Sequence, residues 1–185
     1  MTYDRSVEQV AYYYLAMHKI ESLPLTLGTI ERMICAEGYQ VSMYATSAGL
    51  PPELREFADM AAIAYIKGKD GRVYGNINFP IGERLFALAH ELGHIVLHHI
   101  GIHACGAEAE RIEDEADAFA LALLAPPPVL WYYGVRTVEG AQGCTLLPPE
   151  RARQVVERLR RYSASREEVS VLARFWKPIT PTRPA

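Results

Sequence analysis

At 185 residues, half of them hydrophobic, the chain is long enough for one domain with a proper core and too short for two large ones. A net charge of -3 excludes a molecule that binds polyanions over its whole surface, and no apolar run approaches the roughly 20 residues that span a bilayer. The opening MTYDRSVEQVAYYY lacks the basic start and apolar stretch of a secretion signal, so a cytoplasmic location and no membrane partner are expected. Cys35, Cys105 and Cys144, odd in number and widely spaced, fit ordinary thiols rather than a disulfide framework or a CxxC metal knuckle.

In chain order, Val7, Val10, Ala11, Tyr14 and Leu15 recur at helical spacing, as do Leu27, Ile30, Met33 and Ile34 before Gly38; two N-terminal helices are predicted. YQVSMY alternates like a strand and leads into the loop ATSAGLPPE. AAIAYI, KGKDG and RVYGNIN read as a hairpin, with Asp70-Gly71 supplying the positive φ of its tight turn. A helix follows from about Glu83 to His99 and another from about Glu108 to Ala125, stopped by Pro126, Pro127 and Pro128. WYYGVRTVEGAQGCTLLPP carries no readable period. PERARQVVERLRRY and SREEVSVLARFW predict two closing helices, the second opened by a capping box from Ser165 to Glu168. The fold expected is α+β, a small and mostly antiparallel sheet with N- and C-terminal helices, in one domain over 1–177 with a proline-rich tail at 178–185.

The helix LFALAHELGHIVLHHIG holds the chemistry. His90 and His94 are four residues apart, about 40° around a helix, so both imidazoles can converge on one ion. Glu91 lies on the neighbouring flank, placed to act as a base on a bound water, and the three make the His-Glu-x-x-His pattern of zinc hydrolases. A merely polar face is a poor alternative, because Leu88, Ala89, Leu92, Ile95, Val96 and Leu97 surround these groups and burying polar atoms unpaired is costly. Two histidines leave the ion short of protein ligands. In the next helix Glu113 and Asp117 share a face, so that one can bind the ion while the other hydrogen-bonds a ligand imidazole from behind; Glu115 is a weaker ligand candidate. Leu97 and Ile100 stand where a metzincin needs Gly and His, which excludes that class. His18, His98, His99 and His103 read as surface, helix-end or structural residues.

FALAHELGHIVLH from Phe86 to His98, followed by EDEADAFALALLAP from Glu113 to Pro126, resembles the ImmA/IrrE family of metallopeptidases. The resemblance is specific over about forty residues and looser over Tyr39 to Phe79. It implies a zincin-like helix pair under the sheet, zinc (or Mn2+ or another divalent ion) bound by His90, His94 and Glu113, Glu91 as catalytic base, and Asp117 behind a ligand. It also implies a substrate, a helix-turn-helix transcriptional repressor whose cleavage relieves repression, in a phage or mobile-element setting. VLWYYGVRTVEGAQGCT fits no part of that pattern and bears on which substrate is accepted.

For a peptide substrate, the strand Arg72 to Asn78 offers an edge to pair with, and Tyr132, Tyr133 or His103 could supply the oxyanion donor. A second reading keeps the scaffold but captures a repressor or toxin without cutting it; Glu91 argues against it, since a structural site has no use for that carboxylate. Direct nucleic-acid binding through the C-terminal helices is a third. Leu146 to Ala185 has nine basic residues against four acidic ones, but the acidic residues interrupt the run, which fits a solvated arginine-rich face better.

Overall fold

The computed structural model describes residues 5–67, 70–102 and 104–162. The helix expected over SREEVSVLARFW, its capping box, the 178–185 tail and His103 lie outside the described residues. Within them the order is α1 (Arg5–Met17), α2 (Leu27–Ala36), β1 (Gln40–Tyr44), two 3-10 turns (Ser47–Gly49 and Pro52–Phe57), β2 (Ala62–Lys67), β3 (Asp70–Asn76), α3 (Ile81–Val96), α4 (Ala107–Leu124), α5 (Pro127–Tyr132), α6 (Val138–Thr145) and α7 (Pro149–Arg161). The architecture is α+β. The chain divides into two compact units, one of Thr26–Ala120 and one built from the stretches on either side of it.

In the 26–120 unit, Thr26 opens α2 by accepting the Thr29 amide on its hydroxyl, and the helix buries Ile30, Met33 and Ile34. Gly38, at φ 86°, turns the chain into β1. The sheet has the order β1-β3-β2. Its β2–β3 pairing is antiparallel, as the hairpin reading requires, whereas β1 runs parallel to β3, with Val41 beside Val73 and Tyr44 beside Asn76. That parallel partner depends on the long 3-10 connection and has no local signature. The Asp-Gly turn is a correction: Asp70 pairs with Lys67 and Gly71 with Ile66, so both lie within β3 rather than in the turn. Gly71 answers a different need, since a Cβ there would come within 2.7 Å of the Tyr39 ring.

Tyr44, Leu50, Leu54, Ile63 and Tyr74 form a cluster on this sheet, closed by the Tyr44 hydroxyl donating to the Met60 carbonyl at 2.7 Å. α3 packs on β2, β3 and α2. Two stripes of it are buried, Leu85, Leu88, Leu92 and Ile95 on one and Phe86, Ala89 and Gly93 on the other, because the helix is covered from two sides. Away from its two ends, the helix is left partly open along the strip that holds His90, Glu91 and His94.

In the other unit, α1 buries Val7, Ala11, Tyr14 and Leu15 at helical spacing. α7 packs on α5 and α6, burying Ala152, Val155, Val156 and Leu159 while Arg153, Glu157, Arg160 and Arg161 face outward. Arg158 is ion-paired to Glu8 of α1. The stretch without a readable period begins at the end of one helix, α5, and holds a second, α6. Pro127 and Pro128 do end α4, but they also begin α5, where the first turn has no use for an amide proton; Thr137 then caps α6 through the Gly140 amide. No helix among the described residues is long and apolar enough to cross a membrane.

Candidate metal centre

α3 and α4 approach closely at Gly93. A Cβ on that residue would lie 3.1 Å from the Ala116 carbonyl oxygen and 3.2 Å from both the Ala116 Cα and the Phe119 ring, so only glycine allows this helix spacing. The crossing sets the strip of α3 that carries the histidines against the face of α4 that carries Glu113 and Asp117.

One potential donor atom from each of His90, His94 and Glu113 lies within 4.8 Å of the others. His94 Nε2 is 2.9 Å from His90 Nε2, which is 3.3 Å from Glu113 Oε2, while His94 Nε2 is 3.6 Å from Glu113 Oε1. A tetrahedral ion with bonds of about 2.0–2.1 Å spaces its donors by roughly 3.3 Å, in the middle of that range. Two imidazoles and a carboxylate also match the donor set of a catalytic divalent-ion site with an open position. The residues therefore fit a divalent metal. Glu113 is the exposed member, its side chain 64% accessible against 18% for His90 and 12% for His94.

Asp117 Oδ1 is 2.9 Å from His90 Nδ1, which puts the proton on Nδ1 and leaves the Nε2 lone pair facing Glu113 and His94. For His90, burial acts to lower the pKa, but the bond to Asp117 and the charges of Glu91, Asp117 and Glu113 outweigh it and hold it above the ordinary histidine value. Burial and the neighbouring His90 push His94 down to about 4.

Glu91 is nearly enclosed. Burial raises its pKa against the opposing pull of His90 and of a backbone hydrogen bond. That bond is from the Ala64 amide of β2 to Glu91 Oε2, 2.9 Å long, and Oε1 has no hydrogen-bond partner among the described residues. Among the described residues β2 is an edge of the sheet, and the Ala64 amide points off that edge onto the carboxylate. Here the expectation for Arg72 to Asn78 is corrected: β3 is the central strand, paired on both sides through residues 72 to 75, and has no free edge for a peptide there. The edge beside Glu91 belongs to β2.

All five site residues named from sequence are brought together, with the Glu113 carboxylate beside the Nε2 atoms of both histidines and Asp117 on Nδ1 of His90. Glu115 is not at the metal position; its carboxylate bonds His99 Nε2 at 3.1 Å and Arg111. His99, expected as a loop or helix-end residue, follows the end of α3 and is buried, its ring 5.4 Å from that of His94. Burial lowers the His99 pKa, against the opposing bond to Glu115. Ala64 acts through its backbone and leaves no mark in the sequence. Tyr132 and Tyr133 lie in the other unit.

No curated protein matches the chain. Residues 65–133 match the family model of the IrrE N-terminal-like domain, Peptidase_M78. That span contains both motif segments and the last strands of the sheet, and it leaves most of the looser resemblance before residue 65 outside. From within β2 through α5, then, the chain is similar to the IrrE N-terminal-like domain of Peptidase_M78, over a span that holds the whole candidate site.

Proposed function

We propose that the protein is a zinc-dependent endopeptidase that cleaves a helix-turn-helix transcriptional repressor, acting in the cytoplasm. The observation that carries the hydrolase part is the convergence of His90 Nε2, His94 Nε2 and Glu113 beside a nearly enclosed carboxylate, Glu91, whose favourable charge partner among the described residues is His90. When bound there, a divalent ion supplies Lewis-acid polarisation and makes a water acidic enough to react at neutral pH. Glu91 is the proposed base. Its Oε2 is fixed by the Ala64 amide, so Oε1 is the atom left to take a proton from the attacking water and hand it to the leaving amide nitrogen. Burial suits it to both halves of that transfer, because a carboxylate with a raised pKa is a stronger base than an exposed one and holds the proton longer. Asp117 keeps His90 in the tautomer that presents Nε2. The free edge of β2 offers backbone groups on which an extended segment of substrate can align next to Glu91.

The repressor as substrate rests on the family pattern in the sequence. The test is Glu91→Gln, with zinc-loaded protein and a helix-turn-helix repressor that the wild-type protein binds. Metal content should stay at the wild-type level while cleavage falls roughly a hundredfold to ten-thousandfold. Undiminished cleavage by the variant removes Glu91 from the chemistry; a repressor that binds wild type and stays intact favours capture without cutting.

A further inference from the structure

The two ligand histidines are held in different ways. Histidines that bind metals almost always pass their second ring proton to a partner, and His90 does so to Asp117. His94 does not: among the described residues nothing hydrogen-bonds its Nδ1. Its ring meets two imidazoles edge-on: the fellow ligand His90, at 4.6 Å between centroids, and, outside the ligand set, His99, at 5.4 Å between centroids and 69° between planes.

We propose that His99, anchored by Glu115 and Arg111 of α4, is a positioning residue that sets the ring of His94; this rests on reading His94 as a metal ligand. The backbone delivers His99 to that place. α3 ends with His98 at φ 59°, the left-handed position usually given to glycine. The His98 amide then donates to the Ile95 carbonyl at 3.1 Å and the His99 amide to the His94 carbonyl at 2.8 Å, a paired closure that folds the residue after the turn back against the last turn of the helix. The side chain usually found at that fold-back point is an apolar one. Here it is an imidazole with only 6% of its side chain accessible.

A buried imidazole needs a partner, and His99 has one. Its Nδ1 is buried with no hydrogen bond, so Glu115, 3.1 Å from Nε2, is the group that fixes the ring. Glu115 is in turn held by Arg111, one turn earlier on α4. The chain of contact runs from a half-exposed guanidinium through a carboxylate and an edge-on ring to His94, and it begins on the helix that also presents Glu113 and Asp117.

Cobalt(II) and zinc binding to the full chain tests this, with affinity read by competition against a chromogenic chelator and ligand geometry by the cobalt visible spectrum. Glu115→Ala should weaken zinc about tenfold and alter the cobalt bands, with the circular dichroism of a folded chain. His99→Leu fills the same buried space without a ring and should do the same, so the question stays open to test should one variant fail to fold. Glu115→Gln keeps an acceptor for His99 and removes the charge; it should restore wild-type affinity to within about twofold. Wild-type affinity and spectrum in either of the first two variants overturns the proposal and leaves the metal reading intact. A loss in Glu115→Gln equal to that in Glu115→Ala also overturns it, since charge and not position would then be responsible. A wild-type chain that binds neither ion removes the metal reading itself, and the proposal with it.

Discussion

Replacing Gly93 by alanine tests whether the spacing of two helices sets the metal site. In an ordinary helix interior this change stabilises by roughly 0.5–1 kcal/mol, because glycine has more conformational freedom to lose. The new methyl would here meet the Ala116 carbonyl oxygen at 3.1 Å, the Ala116 Cα at 3.2 Å and Cδ1 of Phe119 at 3.2 Å. Two of those atoms are backbone, and Phe119 is fully buried, so no flexible side chain can swing aside. The helices must separate by a few tenths of an ångström, and overpacking of this kind costs about 1–3 kcal/mol, enough to reverse the usual sign. Ala116 lies between Glu113 and Asp117, and Gly93 precedes His94, so the separation stretches the 2.9 Å His90–Asp117 bond and the 3.3 Å His90–Glu113 spacing directly. Gly93→Ala should therefore lower the melting temperature of the chelator-treated protein by a few degrees, about 2–4 °C per kcal/mol at this size. It should also weaken zinc about tenfold or more, measured by chelator competition. A variant that melts higher and binds zinc as wild type does would show that the helices are not in contact at this point.

Asp117→Ala deprives His90 of its Nδ1 acceptor and should cost about 10–100-fold in zinc affinity, while Asp117→Asn, which keeps an acceptor, should cost less; chelator competition separates the two. Metal binding should tighten as pH rises. His94, at about 4, has already lost its proton above pH 5, whereas His90, held above the ordinary value, must give one up; log affinity should climb with a slope near one per pH unit below the His90 pKa and flatten above it, and a slope near two would mean that His94 titrates normally. His98→Gly should raise stability by up to about 1 kcal/mol, since a left-handed φ of 59° penalises a side chain and glycine carries no such penalty; a lower melting temperature would argue against the fold-back that closes α3.

What could be read from sequence was whatever is encoded over one or two helical turns. His90 and His94 at four-residue spacing, Glu113 and Asp117 at the same spacing and the apolar stripes of α3 all belong to that class, and all lie where the spacing puts them. Features set by partners distant in the chain were not legible. β1 lies parallel to β3, and β3 became the central strand, only because a connection of seventeen residues passes between β1 and β2, and nothing local announces that. Asp70-Gly71 looks like a turn pair but is paired within β3, and its glycine serves the Tyr39 ring. α5 and α6 were hidden by ambiguous signals: Pro127 and Pro128 mark a stop and a start equally well, and Gly140 and Gly143 weaken the period of α6. His99 looks like a helix-end residue until the turn at His98 is known to fold it inward.

The histidine helix cannot make this site alone. α3 supplies spacing, which brings two imidazoles and a carboxylate to one strip, but the state of each group is decided by its neighbours. α4 fixes the His90 tautomer through Asp117 and contributes the oxygen of Glu113. The sheet fixes Glu91 through the Ala64 amide, a group that would otherwise point off the edge of β2. Because that amide is already engaged, a peptide laid along the edge finds the donor nearest the base occupied, and its own backbone must pair with the strand to either side. If Glu91 is the base and a substrate aligns on β2, as proposed, strand and base are coupled: the strand that would receive the substrate also holds Glu91 through the Ala64 amide. A change that moved β2 outward would release Glu91 Oε2 and leave a buried carboxylate without its backbone donor, raising its pKa further and keeping it protonated at pH values where a base has to be charged.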